Sequence, residues 1–290
     1  MPILVVLDGQ HCPPAESTVS VFDRGFLYGD SVFETLRTYS GQPFELEEHL
    51  RRLERSAERV FIPLSLSRVE LAAEVLAAIR AAGNPESYVR LMITRGQGPL
   101  GLDPALAERP LRVIIVQPLQ APPAEQYARG IAAVSYRTER VVDATSAQGA
   151  KIGNYLISVL AMRAARSAGA LEALIVDGRG RILEGASSNV FAVERGRLVT
   201  PGEDAGILAG ITRAHVLALA SELGVPVELR ALELEAAQGA SELFISSSIR
   251  ELLPVVRLDG RPIGTGTPGP VFGRLLAAFR EHTRGPAALS

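Results

Sequence analysis

Lys151, in the stretch GAKIGNYL at 149–156, is the only lysine of a 290-residue chain whose lysines and arginines total 30. Every other one of those residues is an arginine. Arginine serves wherever a surface needs positive charge alone, because its guanidinium stays protonated in proteins. A lysine amine can lose its proton on burial and attack a carbonyl carbon to form a Schiff base. Lys151 is therefore either a candidate nucleophile or the last surface lysine of an arginine-rich composition. The count alone does not choose between them.

Composition narrows what such an amine could serve. Apolar residues make up 47%, charged residues 21%, and the formal net charge is −2, so no surface for a polyanion such as nucleic acid is expected. A single cysteine, Cys12, rules out an internal disulfide. The sequence shows neither a basic-then-apolar leader nor an apolar run of ~18 residues, and a soluble cytoplasmic protein without membrane partners is expected.

The elements that must position the lysine mix strands and helices in both halves. ILVVLDG and SVFETLRTYSG read as strands. In FELEEHLRRLERSAERV, Leu46, Leu50, Leu53, Ala57 and Val60 recur at four- and three-residue steps, the stripe of an amphipathic helix. RVELAAEVLAAIRAAG reads as a second helix, stopped by glycine, and YVRLMITRG and PLRVIIVQPL as strands. The Pro-rich stretch 118–126 reads as a linker. Beyond it, strands EALIVDG, SNVFAVERG and ELFIS alternate with helices NYLISVLAMRAARSAG and TRAHVLALASELG. The last residues, TRGPAALS, are expected to fray.

Two segments imitate the G-x-G-x-x-G dinucleotide motif, GQGPLG at 96–101 and GTGTPG at 264–269. That motif needs a helix opening at the glycines within a βαβ unit. Prolines 99, 104 and 110 interrupt the first; Pro270 and too short a remainder follow the second. Both are read as turns. His11, His49, His215 and His282 lack paired metal spacing, so no metal is expected.

Three segments after the lysine carry candidate chemistry. RILEGASSNVFAVERGRLVT reads as a hairpin with Glu184 beside the small residues 185–188. If the amine holds pyridoxal phosphate, such a carboxylate could keep the cofactor's ring nitrogen protonated; taken alone, it is a solvated hairpin charge. GILAGITRAHVLALASEL turns at glycine into a helix whose first amides, near Ile211 and Thr212, could bind phosphate, or Thr212 is a plain N-cap. ELFISSSIREL ends a strand in Ser246, Ser247 and Ser248, which could complete a phosphate cup or form a polar turn.

Taken in order, HLRRL, GAKIGNYL, LEGASSNVF, GILAGITR, ELFISSSIRELLPV and DGRPIG…GPV resemble the fold-type IV pyridoxal-phosphate enzymes (class IV aminotransferases), and the resemblance covers nearly the whole chain. It implies an α/β (α+β) fold of two domains. These would be a smaller N-terminal domain, 1–117, with the substrate walls, the linker 118–126, and a larger domain, 127–290, built around sheet with flanking helices and carrying the lysine and the phosphate cup. It also implies that Lys151 forms the Schiff base with pyridoxal 5'-phosphate, Tyr155 meets its phenolic oxygen and Glu184 its pyridine nitrogen. Arg52, Ile211, Thr212, Ser247 and Ser248 would hold the phosphate, with Leu208 packing on the ring. Periodicity does not select Arg52, which lies about 120° from the apolar stripe, much as Arg59 does; the H-x-x-R-L match does. Ala209 departs from the family's usual proline.

The implied reaction is ping-pong transamination between an amino acid, branched-chain or apolar, and a 2-oxo acid such as 2-oxoglutarate. Lys151 would be its base and acid, and a homodimer or larger homo-oligomer is expected. Tyr28, Phe33, Thr35, Arg37, Tyr88 and Arg90 resemble the branched-chain substrate pocket, and RGQGPLGLDP resembles a loop of those enzymes. Thr35, where they usually have glycine, and SSSIRE in place of G-T-A-A-E look more like aminodeoxychorismate lyase, which releases pyruvate. A D-amino-acid or (R)-amine transaminase is a further alternative, although the R-x-H carboxylate trap of the D-amino-acid enzymes is missing.

Overall fold

The computed structural model describes residues 3–107, 109–138 and 147–284. The chain divides into two compact units, Met1–Gln120 with Ala150–Tyr155, and Ala121–Gly149 with Leu156–Ser290. The segment bearing Lys151 thus groups with the first unit, although it follows the stretch read as a linker. That stretch is only partly a linker, because a helix begins at Ala124.

The first unit contains β1 (Leu4–Leu7), β2 (Gln10–Cys12), α1 (Arg24–Tyr28), β3 (Ser31–Tyr39), β4 (Gln42–Pro43), α2 (Leu46–Arg59), α3 (Arg68–Ala82), β5 (Ser87–Thr94) and β6 (Leu111–Pro118). Its six-stranded sheet has the order β2-β1-β6-β5-β3-β4, and every pairing is antiparallel. Alternation along β3 sorts its side chains onto two faces. Val32 and Leu36 join Val89, Leu91 and Ile93 of β5 in a core shared with Leu50, Leu53 and Ala57 of α2 and Leu71, Val75 and Ile79 of α3. Phe33, Thr35 and Arg37 therefore lie on the other face. The expected stripe of α2 is present, with Leu46 and Val60 packed against the core from its margins. A capping box, Ser67 with Glu70, starts α3, and Gly83 ends it in the left-handed region at φ 62°.

The second unit contains α4 (Ala124–Arg129), β7 (Ile131–Arg137), α5 (Leu156–Ser167), β8 (Glu172–Val176), β9 (Arg181–Gly185), β10 (Asn189–Glu194), β11 (Arg197–Thr200), α6 (Ile211–Glu222), β12 (Val227–Leu229), β13 (Leu232–Glu233), α7 (Leu234–Gln238), β14 (Glu242–Ser247), β15 (Glu251–Leu258), β16 (Arg261–Pro262) and α8 (Pro270–Arg284). Its ten-stranded sheet runs β12-β11-β10-β14-β15-β7-β8-β9-β13, with β16 on β15. The apolar run of β8 is buried on both faces: Leu174 and Val176 enter one core, Ala173 and Ile175 another that includes Ala161 and Ala165 of α5.

The hairpin expected from 181 to 200 is corrected. β9 pairs with β8 and β10 with β11 and β14, so β9 and β10 are not ladder partners. The turn Gly185–Ser188, closed by the Gly185 N–H on the Ser188 carbonyl at 2.7 Å, carries the chain to another part of the sheet. The tight hairpin lies further on, where Arg195 (φ 50°) and Gly196 (φ 76°) join β10 to β11.

The stretch 264–269 is a turn, as expected, but α8 opens directly after it at Pro270. Its first amides are already taken: Glu242 of β14 accepts the Val271 and Phe272 N–H groups at 2.9 and 2.8 Å. A side chain at 269 would collide with that carboxylate. Of the C-terminal stretch expected to fray, Thr283 and Arg284 close α8 and 285–290 lie outside the described residues. Among the described residues no helix is long and apolar enough to cross a membrane.

Candidate active site

In the first unit the lysine backbone is pinned before its side chain can act. The Phe33 N–H donates to the Lys151 carbonyl at 3.0 Å, Gly153 N–H to the Ser31 carbonyl at 2.8 Å, and Lys151 N–H to Ser56 Oγ of α2 at 3.1 Å. These bonds hold residues 151–153 along the start of β3. Lys151 Nζ then lies 3.2 Å from Tyr155 Oη and 4.6 Å from the centre of the Phe33 ring. Phe33 meets Tyr155 edge-on at 5.1 Å, and the Arg90 guanidinium lies 3.9 Å from the Phe33 ring centre.

Five of the six residues expected to wall the substrate share this face. Phe33, Thr35 and Arg37 alternate along β3, and the register sets Thr35 opposite Arg90 and Arg37 opposite Tyr88. Tyr28 stands apart on α1. Its hydroxyl accepts the Gly101 N–H at 3.2 Å, while buried Arg24 holds the Gly101 and Leu102 carbonyls, so the loop RGQGPLGLDP is tied to α1.

On the core side of β3 lies a group that sequence reasoning missed. Glu34, fully buried, takes Arg52 Nε and Nη2 at 2.7 and 2.6 Å and His49 Nδ1 at 2.7 Å. Burial works to raise the Glu34 carboxyl, but the Arg52 charge and the hydrogen bonds from Arg52 and His49 outweigh it and bring it down to about 2. Burial pushes the His49 imidazole down, against the pull of Glu34. A neutral His49 must then carry its proton on Nδ1, since the carboxylate can only accept. The structure separates the two arginines that periodicity could not, because Arg52 is buried and Arg59 exposed. The available signal was a glutamate amid apolar strand residues together with a His–Arg pair three apart on one helix.

The second unit holds the acid and the phosphate candidates. Glu184, half-buried on β9, accepts the Leu208 N–H at 3.1 Å, and Asn189 Nδ2 donates to the Leu208 carbonyl at 2.9 Å, so both peptide groups of Leu208 are held. Asn189 stands opposite Ser246 in the β10–β14 register. A Cβ at Gly210 would lie 1.9 Å from Asn189 Oδ1, so a glycine lets the start of α6 come this close to the first residue of β10. Gly210, not Thr212, is the N-cap of α6, and among the described residues no side chain caps that helix. Thr212, inside the first turn, has a buried hydroxyl with no partner among the described residues.

Ile211 is buried, while Ser247 and Ser248 are half-buried at the end of β14 and the turn after it. Unlike the α8 N-terminus, filled by Glu242, the α6 N-terminus offers open amides, an unpaired hydroxyl and nearby serines. That donor set fits a phosphate. Among the residues not expected, Glu172 and Arg250 brace this region, and His215 and His282, distant in sequence, bring their rings 5.0 Å apart across α6 and α8.

The description Amino-transferase class IV matches residues 31–258. The chain belongs to the class IV aminotransferases. The cofactor of this family is pyridoxal 5'-phosphate, and the chain is accordingly a pyridoxal-phosphate-dependent transaminase of fold type IV. It is 38% identical over 277 residues to a putative branched-chain-amino-acid aminotransferase of Methanocaldococcus jannaschii, covering 96% of this chain and 95% of that one. It is 33% identical to D-alanine aminotransferase of Bacillus licheniformis, covering 96% of each. The solved branched-chain amino acid aminotransferase of Escherichia coli superposes with a TM-score of 0.92 at 34% identity, covering 97% of this chain and 95% of that one.

The buried Glu34 pair generates an acid-stability prediction. Its carboxyl is depressed in the fold, so its contribution is complete above the unfolded value of 4.5 and fades as pH falls from there toward about 2. Glu34→Gln, which leaves Arg52 short of its partner, is expected to cost about 3–5 kcal/mol at pH 7. Denaturant titrations across pH should show the gap between wild type and variant shrinking only below that unfolded value. A gap independent of pH would contradict the assignment.

Proposed function

We propose that this aminotransferase takes the amino group of branched-chain or other apolar amino acids and passes it to 2-oxoglutarate, with Lys151 at the centre. The observation that carries this reading is the position of Lys151 Nζ, 4.6 Å from the Phe33 ring. The same strand-pair face presents Phe33, Thr35 and Tyr88 to an apolar side chain and Arg37 and Arg90 to a carboxylate. Both donor and acceptor of a two-stage exchange must use one pocket, and this face has both chemistries. The strong likeness to branched-chain enzymes supports the same reading.

When bound, pyridoxal phosphate supplies an aldehyde carbon for the amino group and a ring that draws electrons from the substrate α-carbon. Lys151 would hold the cofactor through Nζ, then carry a proton on that nitrogen to and from the α-carbon. Tyr155 Oη, within hydrogen-bond reach of Nζ, would orient the amine and meet the phenolic oxygen. Glu184, fixed by the Leu208 amide, would meet the ring nitrogen, and Leu208 would pack on the ring. Ile211 and Thr212 would give their amides, Ser247 and Ser248 their hydroxyls, and Arg52, aligned by Glu34, its charge to the phosphate. Lys151 is thus the catalytic residue of the proposal, and Phe33, Thr35, Arg37, Tyr88, Arg90 and Tyr28 form the substrate walls. The division into 1–117 with the substrate walls and 127–290 with the phosphate cup stays part of it, amended by the grouping of Ala150–Tyr155 with the first unit.

We further propose a cytoplasmic homodimer or larger homo-oligomer. Val21, Phe22, Phe26, Leu100 and Leu102 of the first unit are exposed, as are Leu156 and Val159 of the second, and such large apolar side chains are what a subunit interface would cover. The free Cys12 suits a reducing compartment.

A panel of L- and D-amino acids with 2-oxoglutarate tests the substrate reading and, given the likeness to D-alanine aminotransferase, reports handedness. Leucine, isoleucine and valine are expected to head the donors. Pyruvate release from aminodeoxychorismate with no transamination would overturn it. Thr35→Gly removes a methyl and a hydroxyl from the wall, and kcat/KM for donors bulkier than leucine should rise relative to valine; an unchanged ratio places Thr35 away from the side chain. Glu184→Gln should slow the single-turnover donor half-reaction at least about a hundred-fold while changing cofactor affinity far less. Equal losses in both would make Glu184 a structural group.

A further inference from the structure

We propose that Arg250 is a positioning residue that directs the Ser247 hydroxyl proton at the cofactor phosphate, an inference that rests on the reading of Ser247 above. All three guanidinium nitrogens of Arg250 are engaged. Its Nη1 pairs with fully buried Glu172 at 2.7 Å, Nη2 donates to Ser187 Oγ at 3.0 Å, and Nε and the backbone N–H both donate to Ser247 Oγ at 3.3 Å. Its carbonyl accepts the Tyr127 hydroxyl at 3.1 Å. Glu172 is itself immobilised, accepting the Ala173 and Ala186 N–H groups and the Ser188 hydroxyl. The arginine charge is thereby neutralised from the protein side, and its geometry, not its charge, is what reaches the serine.

A serine hydroxyl has two lone pairs and one proton. With two N–H donors on Ser247 Oγ, both lone pairs are engaged and the proton must go to another acceptor. Among the described residues Ser247 donates to nothing. The strand that ends in Ser247 is tied through Asn189 to the open start of α6, where the unpaired Thr212 hydroxyl already calls for an acceptor. A phosphate, which only accepts, satisfies both. The branched-chain pattern G-T-A-A-E contains no arginine, so SSSIRE supplies a device of its own.

The test is a double-mutant cycle on cofactor binding. The full chain, freed of cofactor, is titrated by equilibrium dialysis with pyridoxal phosphate and with pyridoxal, which lacks the phosphate. Ser247→Ala should weaken pyridoxal phosphate about ten- to a hundred-fold, and Arg250→Met about three- to ten-fold, with pyridoxal unaffected. The double variant should bind no more weakly than Ser247→Ala alone. Arg250→Lys keeps the charge beside Glu172 but not the planar fork, so it should behave as Arg250→Met and replaces it if that variant does not fold. Additive losses, or equal losses for pyridoxal, would overturn the inference while leaving Ser247 in the cup. Wild-type affinity in Ser247→Ala would remove Ser247 from the cup and the inference with it.

Discussion

The alternation of side chains along β3 is the constraint on which the first unit's chemistry depends. One face gives Val32 and Leu36 to the core and sinks Glu34 among them, where the carboxylate survives only because Arg52 and His49 meet it. The other face carries Phe33, Thr35 and Arg37, with the Phe33 ring 4.6 Å from Lys151 Nζ. The start of the same strand accepts the lysine segment as if it were an added strand, through bonds to Ser31 and Phe33. A slip of one residue would exchange the faces, burying the wall and exposing the ion pair. Register thus fixes both where the amine stands and which arginine is aligned.

The second unit works by leaving some donors unfilled. Both α6 and α8 begin after a glycine turn, and both present amides that need an anion. A protein carboxylate, Glu242, answers that need at α8; at α6 no side chain among the described residues does. Burying the Thr212 hydroxyl without a partner costs stability unless a ligand repays it, which is how a binding site differs from a finished core. Around this opening the fold is heavily braced. Glu172 and Arg250 lock the turn after β9 to the turn after β14, and Asn189 holds the residues before α6.

Much of this was legible in the sequence because it is local. The apolar stripe of α2, the glycine stop of α3, strands β1, β3, β5 and β6 of the first sheet and β8, β10 and β14 of the second, and the glycine turn into α6 each follow from neighbouring residues, and the lone lysine marked its own segment. What was not legible depends on partners distant in the chain. The hairpin expected at Glu184 failed because β9 finds β8 and β10 finds β14, choices made by the whole sheet. Thr212 yielded the N-cap to Gly210 because Asn189 leaves no room for a side chain there. Glu34 was passed over because a charge in a strand reads as solvent-facing until the helix that neutralises it is in place. Arg250 has no local signal, because its partner Glu172 stands 78 positions earlier in the chain.

The central claim is that the single lysine of this chain carries the cofactor. Borohydride reduction of the holoenzyme makes the lysine–cofactor bond permanent, and proteolysis with mass mapping then locates it. The expected result is loss of the visible absorbance and one labelled peptide, containing Lys151. Absorbance that resists reduction, or a label on the N-terminal amine or any peptide lacking Lys151, would contradict the account.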